Sequence, residues 1–185
     1  MIWALIVVVV VVALLLVGVY LFNRIVRLRN EVDTGWANID VQLKRRNDLI
    51  PNLVEAVKGY AAHERGVFEE VTRARAAMAG ASTPGQAGEA DSLLGLALGR
   101  LFAVAEAYPD LKASTNFLQL QSDLTDTEDK IAAARRYYNA TVQAYNTAIQ
   151  TFPSLLFARV AGFRAREFFA AADDDRAPVA VSFPS

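Results

Sequence analysis

The first twenty-three residues, Met1 to Asn23, carry no charged side chain, and from Ile2 to Phe22 they form an almost unbroken run of Val, Leu, Ile and Ala. A helix rises about 1.5 Å per residue, so some twenty such residues match the ~30 Å hydrocarbon core of a bilayer. The run predicts one membrane crossing, and so decides where the rest of the chain works. A cleavable secretory signal would instead have a basic start, an apolar stretch of about 7–15 residues and a small-x-small cleavage site. Here no Lys or Arg precedes the run, and Tyr20, Leu21 and Phe22 stand where small residues would be needed. With no cysteine to acylate, a lipoprotein is excluded.

Basic residues near a span are retained on the cytoplasmic side. Arg24, Arg27 and Arg29 follow this span. The expectation is a single-pass protein with its N-terminus outside and its body in the cytoplasm. Trp3 at one end, with Tyr20 and Phe22 at the other, suits the two interfaces.

About 160 residues follow the anchor, enough for one domain with its own core. A net charge of −1 gives no electrostatic footprint for nucleic acid, which is not an expected partner. The lack of cysteine also removes disulfides, thiolate nucleophiles and sulfur metal sites, so the fold rests on packing.

Beyond the anchor the apolar residues keep helical spacing, and the fold class read from them is all-α. Ile25, Leu28, Val32, Trp36, Ile39 and Leu43 lie three or four apart, on one stripe of a helix that resumes at Ile50, Leu53, Val54 and Val57. With no linker after Phe22, this long first helix is expected to be continuous with the span and to run toward Ala62, a stalk on the order of 55 Å. Pro51 predicts a kink in it rather than a stop, because the stripe keeps its phase on both sides. A short helix over 64–78 buries Val67, Phe68, Val71 and Met78, and 80–88 reads as a flexible loop. A third helix, N-capped by Asp91, runs through Leu94, Leu98, Leu101, Phe102 and Ala105 to Tyr108, where Pro109 ends it. The fourth has the strongest pattern: Phe117, Leu120, Leu124, Thr127, Ile131, Ala134, Tyr138, Val142, Tyr145, Ile149 and Phe152, closed by Pro153. Such a seam suits packing at about +20° in a bundle or coiled coil. The expected architecture is an N-terminal transmembrane helix followed by an antiparallel up-and-down bundle of about four helices.

After Pro153, Leu155, Leu156, Phe157, Val160, Phe163, Phe168 and Phe169 are interleaved with Arg159, Arg164 and Arg166. This short amphipathic basic segment either caps the bundle with its apolar face, the reading preferred, or lies on an anionic membrane surface. Asp173 to Asp175 read as a solvated run, since no Gly-turned ligand loop surrounds them. The expected division is an anchor over 1–23, a helical bundle over 24–153, the amphipathic segment over 154–172 and a tail over 173–185.

No catalytic constellation emerges. His63 is the sole histidine, and no GxxxxGK[ST], GxGxxG, GxSxG or HExxH run is present. Glu64, Glu69 and Glu70 stand beside Arg65 and Arg73, where ion pairing on a wet helix face accounts for them. Ferritin-like iron sites need a Glu-x-x-His motif, which is missing. No cofactor and no metal site is expected. Lys44, Arg45 and Arg46 form the densest basic run, a solvated face or a patch for an acidic partner; at roughly 30 Å from the bilayer they lie beyond the ~8 Å Debye length for lipid attraction. Arg24, Arg27 and Arg29 are better placed for lipid head groups. The candidate partner or lipid contacts are therefore Arg24, Arg27, Arg29, Lys44, Arg45, Arg46, Phe163, Phe168 and Phe169.

The stretches PheAsnArgIleValArgLeuArgAsnGluValAsp (22–33), TrpAlaAsnIleAspValGlnLeuLysArgArgAsnAspLeuIleProAsnLeu (36–53), GluAlaTyrProAspLeuLys (106–112), AlaArgArgTyrTyrAsn (134–139), TyrAsn (145–146) and PhePro (152–153) closely resemble the LemA family, over nearly everything past the anchor. The resemblance implies a bacterial membrane protein with an N-terminal span and a cytosolic helical bundle. It supplies no catalytic residues, because the family has no established enzymatic activity; some relatives are linked to magnetosome membrane formation or envelope stress. The expected function is a non-enzymatic membrane-anchored scaffold that self-associates or binds partner membrane proteins and membrane lipid. The alternative is a ligand-binding protein or enzyme with a polar site near the Pro51 kink and Tyr108, using Asp48, Glu55, Lys58 and Glu106.

Overall fold

Apolar spacings of three and four residues become six helices and no strand among residues 1–169, the part of the chain that the computed structural model describes. They are α1 (Ile2–Lys58), α2 (Arg65–Gly80), α3 (Pro84–Glu106), α4 (Pro109–Lys112), α5 (Thr115–Gln150) and α6 (Ser154–Val160). Asp173 to Asp175 and the tail expected over 173–185 lie outside the described residues.

The helices contribute to two compact units, and both α1 and α5 divide between them. One, the span-bearing unit, combines Met1–Asn38 with Ala134–Glu167; the other, the bundle unit, is built on Ile39–Ala133.

In the bundle unit, four helical segments share one core. Ile50, Leu53 and Val57 of α1 meet Phe68, Val71 and Ala74 of α2, Leu94, Leu98 and Leu101 of α3, and Phe117, Leu120 and Leu124 of α5. Phe102 and Phe117 add an edge-to-face ring pair with centroids 6.1 Å apart. Glu70, Ala74 and Ala77 share a groove with Arg100, Ala97 and Leu93, so α2 and α3 run antiparallel. Helix α1 continues through Pro51 to Lys58. The proline has no N–H for the carbonyl of Asn47, so that turn loses one intrahelical bond while the apolar stripe stays in phase.

The third helix starts earlier than expected. Its N-cap is Thr83, whose hydroxyl accepts from the Gln86 N–H, and Pro84 takes the first helical position. Residues expected to form a loop up to Gly88 are therefore largely helical. Asp91 is a buried residue inside α3 instead of a cap.

In the span-bearing unit, α1 and the second half of α5 pack antiparallel. Gly35 sits against Tyr138, close enough that a methyl there would meet the Tyr138 Cα at 3.3 Å, and the Trp36 and Tyr138 rings lie 5.9 Å apart. Leu21, Ile25 and Val32 of α1 are buried, as are Tyr138, Val142, Tyr145 and Ile149 of α5. Buried Thr141 satisfies itself locally by donating to Tyr138 O, as Thr127 of the bundle unit does by donating to Asp123 O and Leu124 O. From Ile2 the start of α1 is long and apolar enough to cross a membrane, and its residues up to Tyr20 are almost all exposed.

Candidate functional site

Two arrangements of polar groups stand out, one in each unit. In the span-bearing unit, α6 ends in a turn at 161–162 and residues 163–167 return without regular secondary structure as a strap. Three α5 side chains hold its backbone. Tyr145 Oη donates to Arg164 O at 3.0 Å, Tyr138 Oη donates to Glu167 O at 2.8 Å, and the Asn146 amide binds Arg166 twice. Tyr138, Tyr145 and Asn146 are seven and eight residues apart, one face of the helix. Arg166 also reaches across to α1, with Nη2 2.7 Å from Asp33 Oδ1. Burial pushes the Tyr138 hydroxyl up to about 12 and raises that of Tyr145 as well, so both remain donors at neutral pH.

The strap, α5 and α1 enclose a cleft of about 520 Å³ lined by Phe22, Val26 and Arg29 of α1, Tyr145 of α5, and residues 161–166. Phe163 is half-buried with its ring 5.8 Å from that of Phe22. Phe169 is buried and Phe168 is partly exposed. The amphipathic segment is thus a short helix, α6, followed by an irregular strap, rather than one continuous element. Arg24, Arg27 and Arg29 are exposed.

In the bundle unit the basic run splits. Lys44 pairs with Asp40 at 2.7 Å, and Arg45 stands 3.8 Å from Asp126, whose carboxyl is held low chiefly by its hydrogen bond from Lys130. Arg46 turns inward: its Nη1 lies 2.8 Å from both Asp91 of α3 and Glu128 of α5, and its side chain is almost wholly buried. The expectation of a solvated basic face therefore holds for Lys44 and Arg45 and not for Arg46. Gly95 keeps that space open, with Arg46 Nη2 3.8 Å from where its Cβ would be.

Beside this network, Asn47, Ile50, Pro51, Val54 and Glu55 of α1 and Val71, Thr72 and Arg75 of α2 line a mainly apolar groove of about 500 Å³. Asn47 Oδ1 and Arg75 Nε are buried there without a hydrogen-bond partner. Of the polar residues expected near Pro51, only Glu55 lines it. Lys58 pairs with Glu55 at the surface, Glu106 pairs with Lys112, and Asp48 is exposed. Among the described residues no three His, Cys, Asp or Glu side chains group to hold a metal.

Among the described residues, one apolar helix long enough to span a bilayer and a body of helices without strands define a membrane-associated helical protein. The chain belongs to the LemA family, whose model matches residues 35–183. It is similar to the magnetosome protein MamQ of Magnetospirillum gryphiswaldense, 29% identical over 174 residues that cover 80% of this chain and 64% of the relative. It is similar also to the protein LemA of Metamycoplasma hominis, 28% identical over 146 residues, 75% of this chain and 67% of that one. The chain spans 64% of the length of the MamQ relative.

Proposed function

We propose that this protein is a membrane-anchored helical scaffold without catalytic activity, which assembles with itself or with partner membrane proteins in a bacterial cell membrane. Arg24, Arg27 and Arg29, directly after the span, favour an N-terminus outside and a cytoplasmic body. The observation that carries the scaffold reading is an outward apolar face on the bundle unit. Leu93 and Leu96 are exposed on α3 beside Ala77 of α2, and they line a groove of about 450 Å³ rimmed by Glu70, Arg73 and Arg100. An apolar centre with a rim carrying both charges suits protein docking. The names of the relatives, a magnetosome protein and a LemA protein, refer to no reaction.

The test is the mass of the full chain in mild detergent beside that of Leu93→Glu with Leu96→Glu. A defined assembly that the double variant loses supports the reading. Monomers in both, with no protein crosslinked to the chain in cells, end it.

A second reading rests on the groove at Pro51. Its buried Asn47 Oδ1 and Arg75 Nε offer an acceptor and a donor to a small amphipathic ligand with apolar bulk. A thermal-shift screen with fatty acids, metals and nucleotides tests it, and the absence of any stabilisation counts against it.

A further inference from the structure

We propose that the turn between α5 and α6 is a second membrane-inserted element, and that the cleft above it holds the head group of an anionic phospholipid. The proposal builds on the reading of Ile2 to Phe22 as a membrane span.

The depth of α6 comes from its contact with α1. The Phe157 ring lies 3.0 Å from where a Cβ on Gly18 would stand. Gly18 is five residues inside the uncharged segment that ends at Asn23, about 7.5 Å along the helix axis. Only a glycine lets the ring approach that closely. Helix α6 therefore packs on the span itself, below the level of Arg24.

The chemistry of the turn fits that depth. From Tyr137 to Ala158 there is no Asp, Glu, Lys or Arg. Leu156 and Val160, four apart on α6, are 55% and 92% exposed and Phe152, in the turn before the helix, is 79% exposed, while Ser154 and Ala158 are buried. In water this would leave three large apolar side chains displayed; beside a transmembrane helix they add to the apolar surface exposed at Leu14 and Val17. The backbone of the turn bonds internally: Leu155 N–H donates to Thr151 O, Ala161 N–H to Phe157 O and Phe163 N–H to Ala158 O. Hydrocarbon demands that internal satisfaction.

Charge returns with Arg159, exposed in the last turn of α6 and long enough to reach toward the head groups, and then at the cleft. Arg29 and Arg164 line the cleft above the Phe22–Phe163 pair. Arg166 is engaged by Asp33, whereas Arg29 and Arg164 make no ion pair among the described residues. Two cations over an apolar floor, beside a bilayer, match a phosphate with its acyl chains leading down along α6.

The chain has no cysteine, so single cysteines can carry a nitroxide without removing native ones. The full chain would be placed in bilayer nanodiscs of phosphatidylcholine with phosphatidylglycerol, labelled in turn at Leu14→Cys, Val160→Cys and Arg135→Cys. Collision with oxygen against a water-soluble nickel chelate reads depth. Positions 14 and 160 are both expected to favour oxygen over the chelate several-fold more than position 135, with 160 the shallower of the two. Lipid burial at 14 with water exposure at 160 overturns the inserted turn and leaves the anchor standing; water exposure at both overturns the anchor and the proposal together.

For the head-group site, native mass spectrometry after extraction from the same bilayers compares the chain with Arg29→Gln/Arg164→Gln and with Arg29→Lys/Arg164→Lys. The expected result is retained phosphatidylglycerol on the wild type, at least a fivefold loss in the Gln pair and recovery in the Lys pair, with unchanged melting temperatures. Equal retention in all three overturns the site.

Discussion

Asn146 binds both polar atoms of one peptide unit's residue: its Nδ2 donates to Arg166 O at 2.9 Å and its Oδ1 accepts from Arg166 N at 2.8 Å. An amide side chain that binds a backbone N–H and C=O together in this way pins a segment without regular secondary structure to a helix. Asn146→Ala leaves both Arg166 backbone groups unpaired and is expected to cost about 1–3 kcal/mol. Asn146→Asp keeps the acceptor and loses the donor, with a smaller loss. Hydrogen exchange at residues 163–167, faster in both variants and fastest in the alanine, checks this.

Gly35 is required by the approach of two helices rather than by its backbone angles. Gly35→Val places branched bulk against Tyr138 Cα and Thr141 Oγ1, at 3.3 and 3.5 Å from its first carbon. Overpacking of this kind is expected to cost about 1–3 kcal/mol. Trp36 stacks beside the same tyrosine, so a red-shifted tryptophan emission together with a lower melting temperature is the expected signature.

Removing the cation from the interior of the bundle unit takes the Arg46 partner from a buried carboxylate. Arg46→Met leaves Asp91 buried without it and is expected to destabilise by about 3–5 kcal/mol, whereas Glu128, half-exposed, rehydrates. Arg46→Met with Asp91→Leu is expected to recover most of that loss. A double-mutant cycle from urea melts measures it, and a double variant no better than the single one would refute it.

Tyr138 makes the strap sensitive to alkali. Its hydroxyl is raised by burial to about 12, above its ordinary value near 10. A raised acid contributes stability that is complete below the unfolded value and is lost as pH climbs through the folded one. Stability is therefore expected to fall between about pH 10 and 12. Absorbance at 295 nm follows the tyrosinates that form late, Tyr138 and Tyr145 among them, and Tyr138→Phe should remove the step near 12.

Most of the helical core was legible because burial on a helix leaves a period. Ile25, Val32, Ile39 and Leu43 are buried as their spacing requires. Gly35 falls on the same stripe between Val32 and Ile39, but a glycine adds nothing to hydropathy and its role showed only once Tyr138 lay against it. Arg46 and Asp91 were misplaced for a common reason: charge suggested solvent and a cap. Their positions held the better signal, since Arg46 stands three after Leu43 and four before Ile50, and Asp91 stands three before Leu94 and seven before Leu98, in phase with the core. Phe152 is the converse. It continues the seam in spacing, yet α5 has ended at Gln150 and the ring is exposed. The strap had no period to read, because side chains from another element hold it. The motifs TyrTyrAsn (137–139) and TyrAsn (145–146) marked its clamp, although their spacing alone does not say what they grip.

The span-bearing unit is assembled from the two distant stretches Met1–Asn38 and Ala134–Glu167, while the bundle unit is built on the stretch between them. During synthesis the apolar segment leaves the ribosome roughly a hundred residues ahead of the helix that packs on it, an interval on the order of ten seconds at ~5–20 residues per second. For that time the face at Gly18 and Ile25 has no partner from its own chain. The apolar helix thus waits while the stretch between can mature, and residues 134–167 arrive as the latch that finishes the span-bearing unit.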